Sequence, residues 1–255
     1  MHFNAEKTRD HIVGWIRDWF SENGRGCKAV LGISGGKDST VAAALCVRAL
    51  GKERVVGVMM PNITQPDIDD SIRVCEILGI RSLMMPVTVA VGGIQQQLEF
   101  AGVEPSVQAC VNLPARIRMV TLYAVSQSVG GRVVNTSNLS EKWIGWGTRF
   151  GDTVGDLCPL AGLTASEVVE VGRTLGLPEE LVAKTPSDGL TGKSDEENFG
   201  FSYEELDGYI RTGKIRSQIP KNRIDRMHRM CAFKLSMPPV CDPGLPIAAE
   251  SGEKA

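Results

Sequence analysis

The sequence predicts an α/β fold: a doubly wound parallel sheet with helices on both faces and a C-terminal helical extension. Three observations predict it, namely four short apolar runs, the helical stretches between them, and a mostly helical pattern after residue 160. Strands that are apolar along their whole length and alternate with helices are typical of parallel sheets covered on both faces. Such sheets bind ligands at the carboxyl ends of their strands.

The N-terminal segment is predicted to be a helix that Asn4 caps. Its apolar residues recur on one face, at Ile12, Trp15, Ile16, Trp19 and Phe20. The stripe indicates packing against the core. The alternative is a subunit interface, for which two tryptophans and a phenylalanine on an end helix are suited.

The strands are predicted at 28–34, 54–61, 81–87 and 131–137. Helices are predicted at 38–51, at 67–80 and after Pro114, because proline suits the first turn of a helix. The loops after residues 33 and 134 follow strand ends and are therefore the predicted ligand sites.

Beyond residue 160 two capping boxes predict helix starts, Thr164 with Glu167 and Ser202 with Glu205. The polar, glycine-rich stretch between these helices predicts a mobile loop, either a substrate lid or a passive linker. We expect one domain over 1–255, with a core at 27–185, the flexible lid loop at 186–201 and a helical tail at 202–245.

Composition excludes several functional classes. The chain has 28 Lys+Arg against 30 Asp+Glu, a formal net charge of −2, which argues against a dedicated nucleic-acid binder. No apolar run reaches the roughly 18 residues of a membrane span, and the N-terminus has no apolar signal segment. Seven cysteines without C-x-x-C spacing favour reduced thiols in a cytoplasmic protein over zinc or disulfides.

The loop after the first strand is predicted to hold a phosphate group. Gly35 and Gly36 allow a tight turn, the next helix starts there, Ser34, Ser39 and Thr40 add hydroxyls, and Lys37 adds a charge. The loop is not a Walker A motif, because Leu31 and Asp38 stand where that motif has Gly and Ser or Thr. A carboxylate within a phosphate loop predicts a bridging Mg²⁺.

The segment SGGKDS (34–39) resembles the signature of the PP-loop ATP pyrophosphatases, which split ATP between its α and β phosphates. The segment NTSNLSEKWIGWGTRFGDTVGD (135–156) resembles the ammonia-dependent NAD synthetases within that group. Three further segments fit the same resemblance: ARIRM (115–119), PSDGLTGKSDE (186–196) and AFKLSMPP (232–239). The resemblance implies an adenine nucleotide alpha hydrolase-like fold and runs from about residue 10 to residue 245.

By that resemblance the chain is a ligase that converts ATP, deamido-NAD and ammonia to NAD, AMP and pyrophosphate through an acyl-adenylate. The resemblance implies ATP contacts at Gly32, Ile33, Ser34, Gly35, Gly36, Lys37, Asp38, Ser39, Thr136 and Ser187. It implies deamido-NAD contacts at Arg116, Arg149, Asp156, Phe233 and Lys234. It also implies a homodimer.

Metal and catalytic roles follow from the same resemblance. Asp38 and Glu141 would hold Mg²⁺, Asp152 would act near the nicotinate and ammonia, and Lys37 would neutralise the leaving pyrophosphate. Asp38 follows the first strand and Glu141 follows the fourth, so neighbouring central strands would bring the two carboxylates together.

The sequence departs from the family pattern at three places. Ala165 stands where many members carry an ATP-contacting lysine, Arg149 where relatives often have lysine, and Phe233 where some have histidine. Three other functions are alternatives to an NAD synthetase. A GMP synthetase-like PP-loop amidotransferase would need a glutaminase domain for which 255 residues leave no room. A tRNA-modifying PP-loop enzyme has only the basic stretch 221–229 in its favour, and an inactive nucleotide-binding module would not need both carboxylates.

Overall fold

A computed structural model describes residues 3–63, 65, 67–184 and 194–245 of the chain. Its sheet has four parallel strands, β1 (Lys28–Gly32), β2 (Val55–Met59), β3 (Arg81–Met84) and β4 (Gly131–Val133), in the order β3-β2-β1-β4. The helices are α1 (Ala5–Asn23), α2 (Lys37–Leu50), α3 (Ile68–Leu78), α4 (Thr88–Phe100), α5 (Val107–Val129), α6 (Leu139–Ile144), α7 (Ala165–Arg173), α8 (Glu179–Val182), α9 (Asp195–Phe199), α10 (Tyr203–Thr212) and α11 (Gln218–Leu235). The predicted fold class is confirmed.

The sheet brings the two predicted ligand loops side by side. β1 pairs with β4, with Val30 opposite Val133, so the loops that follow these strands start at the same edge. β4 is the last strand of the sheet, and only a single parallel bridge between Val134 and Leu157 lies beyond it in the described residues. The strands are neighbours as predicted, but β4 is not central.

All four strands are shorter than their apolar runs predict. After β1 and β4 the regular pairing ends, but one further hydrogen bond to the neighbouring strand remains in each case. Ile33 N–H donates to Val58 O and Val134 N–H donates to Val30 O, each at 2.9 Å. Apolar residues at these strand ends therefore line the start of the ligand loops rather than lengthening the sheet.

Hydrophobic layers cover both faces of the sheet. Alternate residues of β1 point to opposite sides, since Leu31 packs with α1 and α2 whereas Val30 packs with β2 and α5. Both side chains are fully buried. The sheet is thereby fixed on both sides, and its carboxyl edge is left for ligand binding.

The apolar stripe of α1 is used mainly inside the chain. Ile12, Ile16 and Phe20 are buried in the core, and Trp19 packs edge to face on Phe20 with ring centroids 5.2 Å apart. Trp15 remains 40% exposed. The core interpretation of this stripe is therefore correct, and the stripe gives a subunit interface little support.

The predicted start of the long helix at Pro114 is wrong. Helix α5 begins at Val107, where Ser106 caps it by accepting a hydrogen bond from Ala109 N–H at 3.2 Å. Pro114 lies inside the helix and removes one internal hydrogen bond there. The serine cap, which lies in a stretch without a capping box, sets the true boundary.

The predicted loop 186–201 is wrong at its C-terminal end. Ser194 caps α9 with a complete capping box, and Phe199 and Phe201 are buried in a cluster with α10 and α11. These two aromatic anchors order the segment. Residues 186–193, which include the rest of the predicted lid, lie outside the described residues. Within the described part of the chain, no helix is both long and apolar enough to cross a membrane.

Candidate active site

The loop between β1 and α2 makes a tight turn that requires glycine. Gly35 has a φ of +80°, and a Cβ on it would lie 2.7 Å from the main-chain oxygen of Asp67. Both the conformation and the space therefore exclude larger residues at this position. The turn directs the backbone into the start of α2, where unpaired N–H groups and the helix dipole favour an anion.

Hydroxyl groups brace this loop from within. Gly36 N–H donates to Ser34 Oγ at 3.2 Å, and Ser39 Oγ donates to Gly36 O at 3.1 Å. Thr40 is fully buried and its hydroxyl donates to Gly36 O at 2.8 Å. The hydroxyl groups of Ser39 and Thr40 thus stabilise the loop by binding the same main-chain oxygen.

Lys37 lies in a buried cluster of acidic side chains. Its Nζ is 2.6 Å from Asp38 Oδ2 and 5.8 Å from the centre of the Tyr203 ring, and only 5% of the residue is exposed. Burial lowers the pKa of Lys37, but the carboxylates of Asp38, Glu141 and Asp195 outweigh it and raise the pKa. The ammonium group is therefore held charged inside the site.

Asn138 joins the two predicted metal ligands. Its Nδ2 donates to Asp38 Oδ1 at 3.1 Å, and its main-chain N–H donates to Glu141 Oε2 at 3.2 Å. Burial and the Asp38 carboxylate raise the pKa of Glu141 to about 8. The two carboxyl groups thus bind the same residue, and both side chains are half-buried. Our sequence reasoning missed Asn138, although its capping box with Glu141 at the start of α6 was a readable signal.

The two aspartates of the loop after β4 occupy different surroundings. Asp152 is exposed, and its Oδ1 accepts a hydrogen bond from Thr148 N–H at 2.8 Å. Asp156 binds the sheet instead, since its Oδ2 accepts from Val133 N–H at 2.7 Å and its Oδ1 from the Tyr123 hydroxyl at 3.2 Å. Thr136, the predicted ATP contact, is half-buried in the same loop. Both aspartates are exposed, but among the described residues the Asp152 carboxylate has one hydrogen-bond partner and the Asp156 carboxylate has two, so Asp152 is the more available for chemistry.

Three of the residues predicted to bind deamido-NAD lie together. Arg116 Nε is 3.3 Å from the main-chain oxygen of Arg149, and the Arg149 guanidinium lies 5.3 Å from the centre of the Phe233 ring. Lys234 Nζ donates to Gly145 O at 2.7 Å, at the C-terminal end of α6. Asp156 is bound to β4 and outside this group of contacts, and the predicted ATP contact Ser187 lies outside the described residues.

Ala165, where the sequence departs from the family pattern, is buried at the start of α7. Its N–H donates to Ser140 Oγ at 3.0 Å. Asp207, also buried, accepts hydrogen bonds from that same hydroxyl and from Ser166 N–H. These contacts fix the start of α7 beside the start of α6, which carries Glu141.

A glycine phosphate loop at one strand end, with a second carboxylate from the adjacent strand end, defines an ATP-using ligase of the PP-loop class. A family model described as NAD synthase matches residues 8–238. The chain belongs to the NAD synthase family.

Individual members of this family match most of the chain. The NH(3)-dependent NAD(+) synthetase of Archaeoglobus fulgidus is 37% identical over 244 residues, which are 93% of this chain and 97% of that protein. The Pyrococcus furiosus enzyme of the same name is 39% identical over 205 residues, 80% and 77% of the two chains. The predicted ligase of NAD biosynthesis, with ammonia-dependent amidation of deamido-NAD, is confirmed at the level of the family.

Two solved structures are similar over most of their length. The NMN synthetase of Francisella tularensis has a TM-score of 0.87 and 30% identity, covering 94% of this chain and all 100% of that chain. The NH3-dependent NAD synthetase of Campylobacter jejuni has a TM-score of 0.77 and 26% identity, with the same coverage of 94% and 100%.

Proposed function

We propose that this chain performs the family reaction at the carboxyl edge of β1 and β4, with deamido-NAD as acid substrate. The observation that carries the proposal is the contact of Asn138 with both Asp38 and Glu141 beside the glycine loop. It joins a phosphate cradle to a pair of carboxylates, which adenylation chemistry requires.

The reaction has two displacements. An oxygen of the nicotinate carboxylate forms a bond to the α-phosphorus of ATP, and the bond to the β-phosphate oxygen breaks to release pyrophosphate. Ammonia then forms the C–N bond, and the C–O bond to AMP breaks. Lys37 and the loop N–H groups stabilise the leaving pyrophosphate, and Asp152 accepts the proton that the nitrogen loses.

We propose Mg²⁺ as the metal, held by Asp38 and Glu141. The residues fit it, because two half-buried carboxyl groups bind the same residue, Asn138, and the Asp38 carboxylate is one cause of the raised pKa of Glu141. A hard divalent cation with oxygen ligands would relieve that repulsion. When bound, Mg²⁺ would supply positive charge to the ATP phosphates.

We also propose a homodimer, formed through the face of α4 and α5 rather than α1. Only one residue of α4, Val91, is buried. Large apolar side chains on these helices are exposed, including Phe100 at 78% on α4 and Val120 at 56% on α5. Exposed apolar side chains of this size suit a protein interface. Arg116 lies on the same helix α5, so the partner would adjoin the deamido-NAD residues.

Sedimentation velocity tests the dimer. We expect Val120→Asp to shift the protein to monomers, whereas Trp15→Asp, a matched change at an exposed apolar residue of α1, leaves the dimer intact. The reverse pattern would place the interface on α1.

We further propose a cytoplasmic location, which the free thiols of all seven cysteines support.

A shorter acid substrate is the second candidate. The similarity to NMN synthetase, with its TM-score of 0.87, favours nicotinate mononucleotide as the substrate that is amidated. One assay separates the candidates: the purified enzyme is given ATP, Mg²⁺ and ammonium with either deamido-NAD or nicotinate mononucleotide. A higher kcat/KM for deamido-NAD supports the first proposal. A higher value for the mononucleotide replaces it, and no AMP release with either acid refutes both.

A further inference from the structure

Arg118 on α5 is a charged side chain that the proposed reaction does not use. Its Nε donates to the main-chain oxygen of Met60, just after β2, at 2.9 Å. Burial lowers the pKa of its guanidinium, and the carboxylate of Asp152 opposes that shift. The side chain therefore lies between the end of β2 and the loop that carries Asp152.

This position is on the same edge of the sheet as the phosphate loop. A Cβ on Gly32, at the end of β1, would lie 3.1 Å from Met60 Cε and 3.6 Å from Leu122 Cδ1. Leu122 follows Arg118 by four residues, about one turn of α5, so both side chains are on one face of that helix. Helix α5 therefore presents Arg118 to the carboxyl ends of β1 and β2.

The guanidinium has capacity left for a ligand. Met60 occupies Nε, and among the residues that the structure describes neither Nη group forms a hydrogen bond. The two Nη groups of an arginine bind a carboxylate through parallel hydrogen bonds, which a lysine does not reproduce.

We infer that Arg118 binds the carboxylate of the nicotinate group and sets it beside Asp152. This inference rests on the proposed function, because that carboxylate belongs to the acid substrate. The ion pair offsets the repulsion between the substrate carboxylate and Asp152. ATP phosphates are the less suitable partner, since the glycine loop, Lys37 and the start of α2 already surround their place.

The role has a consequence for selectivity. The acid substrate carries a negative charge at this position, whereas the amide product carries none. Arg118 therefore favours the acid over the amide, and the loss of charge during the reaction weakens binding of the product.

Direct binding measurements on the whole protein test this role. Isothermal titration calorimetry gives Kd for deamido-NAD and for NAD with the parent protein, Arg118→Met and Arg118→Lys. We expect Arg118→Met to weaken deamido-NAD binding about 10- to 100-fold, the loss of a charged hydrogen bond, while NAD binding stays unchanged. Arg118→Lys should give an intermediate loss for the acid only.

Arg54→Met is the matched control. Arg54 is also half-buried and donates to a main-chain oxygen, that of Cys27, but it lies at the amino end of the sheet. Neither ligand should bind differently to this variant. Thermal unfolding of each variant verifies its fold, and if Arg118→Met does not fold, the Arg118→Lys measurements decide.

Three results would overturn the inference: equal weakening of deamido-NAD and NAD, no change in either, or weaker binding of a non-hydrolysable ATP analogue with deamido-NAD unchanged. NAD formation by the parent tests the proposed function separately. If the parent binds nicotinate mononucleotide instead, the same ratio is measured with that acid and its amide. A parent that binds neither acid refutes both proposals.

Discussion

The side-chain amide of Asn138 donates a hydrogen bond to Asp38 Oδ1 at 3.1 Å, across the end of the sheet. This contact connects the glycine loop after β1 to the start of α6. Asn138 is the N-cap of that helix and forms a capping box with Glu141. One residue therefore binds both carboxylates, Asp38 through its side chain and Glu141 through its main-chain N–H.

Asn138→Ala should impair both stability and metal use. Loss of a helix cap costs about 1 kcal/mol of the free energy of unfolding. Because Asp38 loses its amide partner and the first turn of α6, which carries Glu141, loses its cap, a higher Mg²⁺ concentration should be needed for half-maximal activity. Denaturant unfolding and a Mg²⁺ titration of AMP release measure the two effects.

Ser202→Ala is the control for that variant. Ser202 holds the equivalent place in the capping box of α10, accepting from Glu205 N–H at 3.1 Å. Its loss should cost similar stability without changing the Mg²⁺ requirement. A Mg²⁺ requirement that Asn138→Ala leaves unaltered would show that Asn138 is only a cap.

Asp38→Asn and Glu141→Gln should each slow adenylation about 10²- to 10³-fold, since removal of one electrostatic group typically costs about 3–4 kcal/mol. Because both residues would hold one ion, the double variant should lose little more than either single variant. Rapid-quench measurement of acyl-adenylate formation gives the three rates. Multiplying effects, or full activity in EDTA, would contradict a shared metal.

Ammonia should be the nitrogen donor. We expect NAD formation with ammonium salts and little with glutamine, unless a separate glutaminase is added. Chromatographic quantification of NAD with each donor checks this, using glutamine freed of ammonia. Robust turnover of purified protein with such glutamine would refute the prediction.

Gly35→Ala should disable the phosphate loop. Its φ of +80° and the main-chain oxygen at 2.7 Å from a new Cβ oppose any side chain. Strain of this kind costs on the order of 1–3 kcal/mol, and the KM for ATP should rise as the turn opens. Thermal unfolding and ATP kinetics measure the two losses.

Gly208→Ala offers the contrast. Gly208 lies within α10, and a Cβ there meets nothing within 4 Å. Alanine should raise the free energy of unfolding by about 0.5–1 kcal/mol with normal ATP kinetics. A Gly35→Ala variant as stable as Gly208→Ala, with an unchanged KM for ATP, would show that the loop tolerates a side chain at this position.

The sequence predicts the parallel α/β sheet and the neighbouring positions of the loops after β1 and β4 correctly. Apolar runs and glycine turns are local features, and parallel strands bring their following loops to one edge. The same logic could not place Asp156, whose carboxylate binds Val133 N–H and Tyr123 from a loop 23 residues beyond that strand residue. Such partners depend on tertiary packing, which no local pattern encodes.

Helix boundaries were missed for a similar reason. Proline commonly starts a helix, but α5 starts seven residues before Pro114. The buried aromatic residues Phe199 and Phe201 likewise order a stretch that its polar composition predicts to be a loop. In both places, a few specific contacts outweigh average residue preferences.

Helix α6 is only six residues long, yet its two ends contact two different parts of the proposed site. Asn138 joins its beginning to the glycine loop, which we propose binds ATP, and Lys234 of the tail donates a hydrogen bond to Gly145 at its end, beside the residues proposed to bind the acid substrate. If Lys234 binds the acid substrate instead of Gly145, the C-terminal end of α6 loses this hydrogen bond. Glu141 lies about one helical turn away, so its position would change as well. Because linkage is reciprocal, whatever metal and ATP binding do to the affinity for the acid, the acid must do equally to theirs. Because α6 is so short, its main chain would couple the two binding sites, and the order in which the substrates bind would depend on this coupling as well as on each site alone.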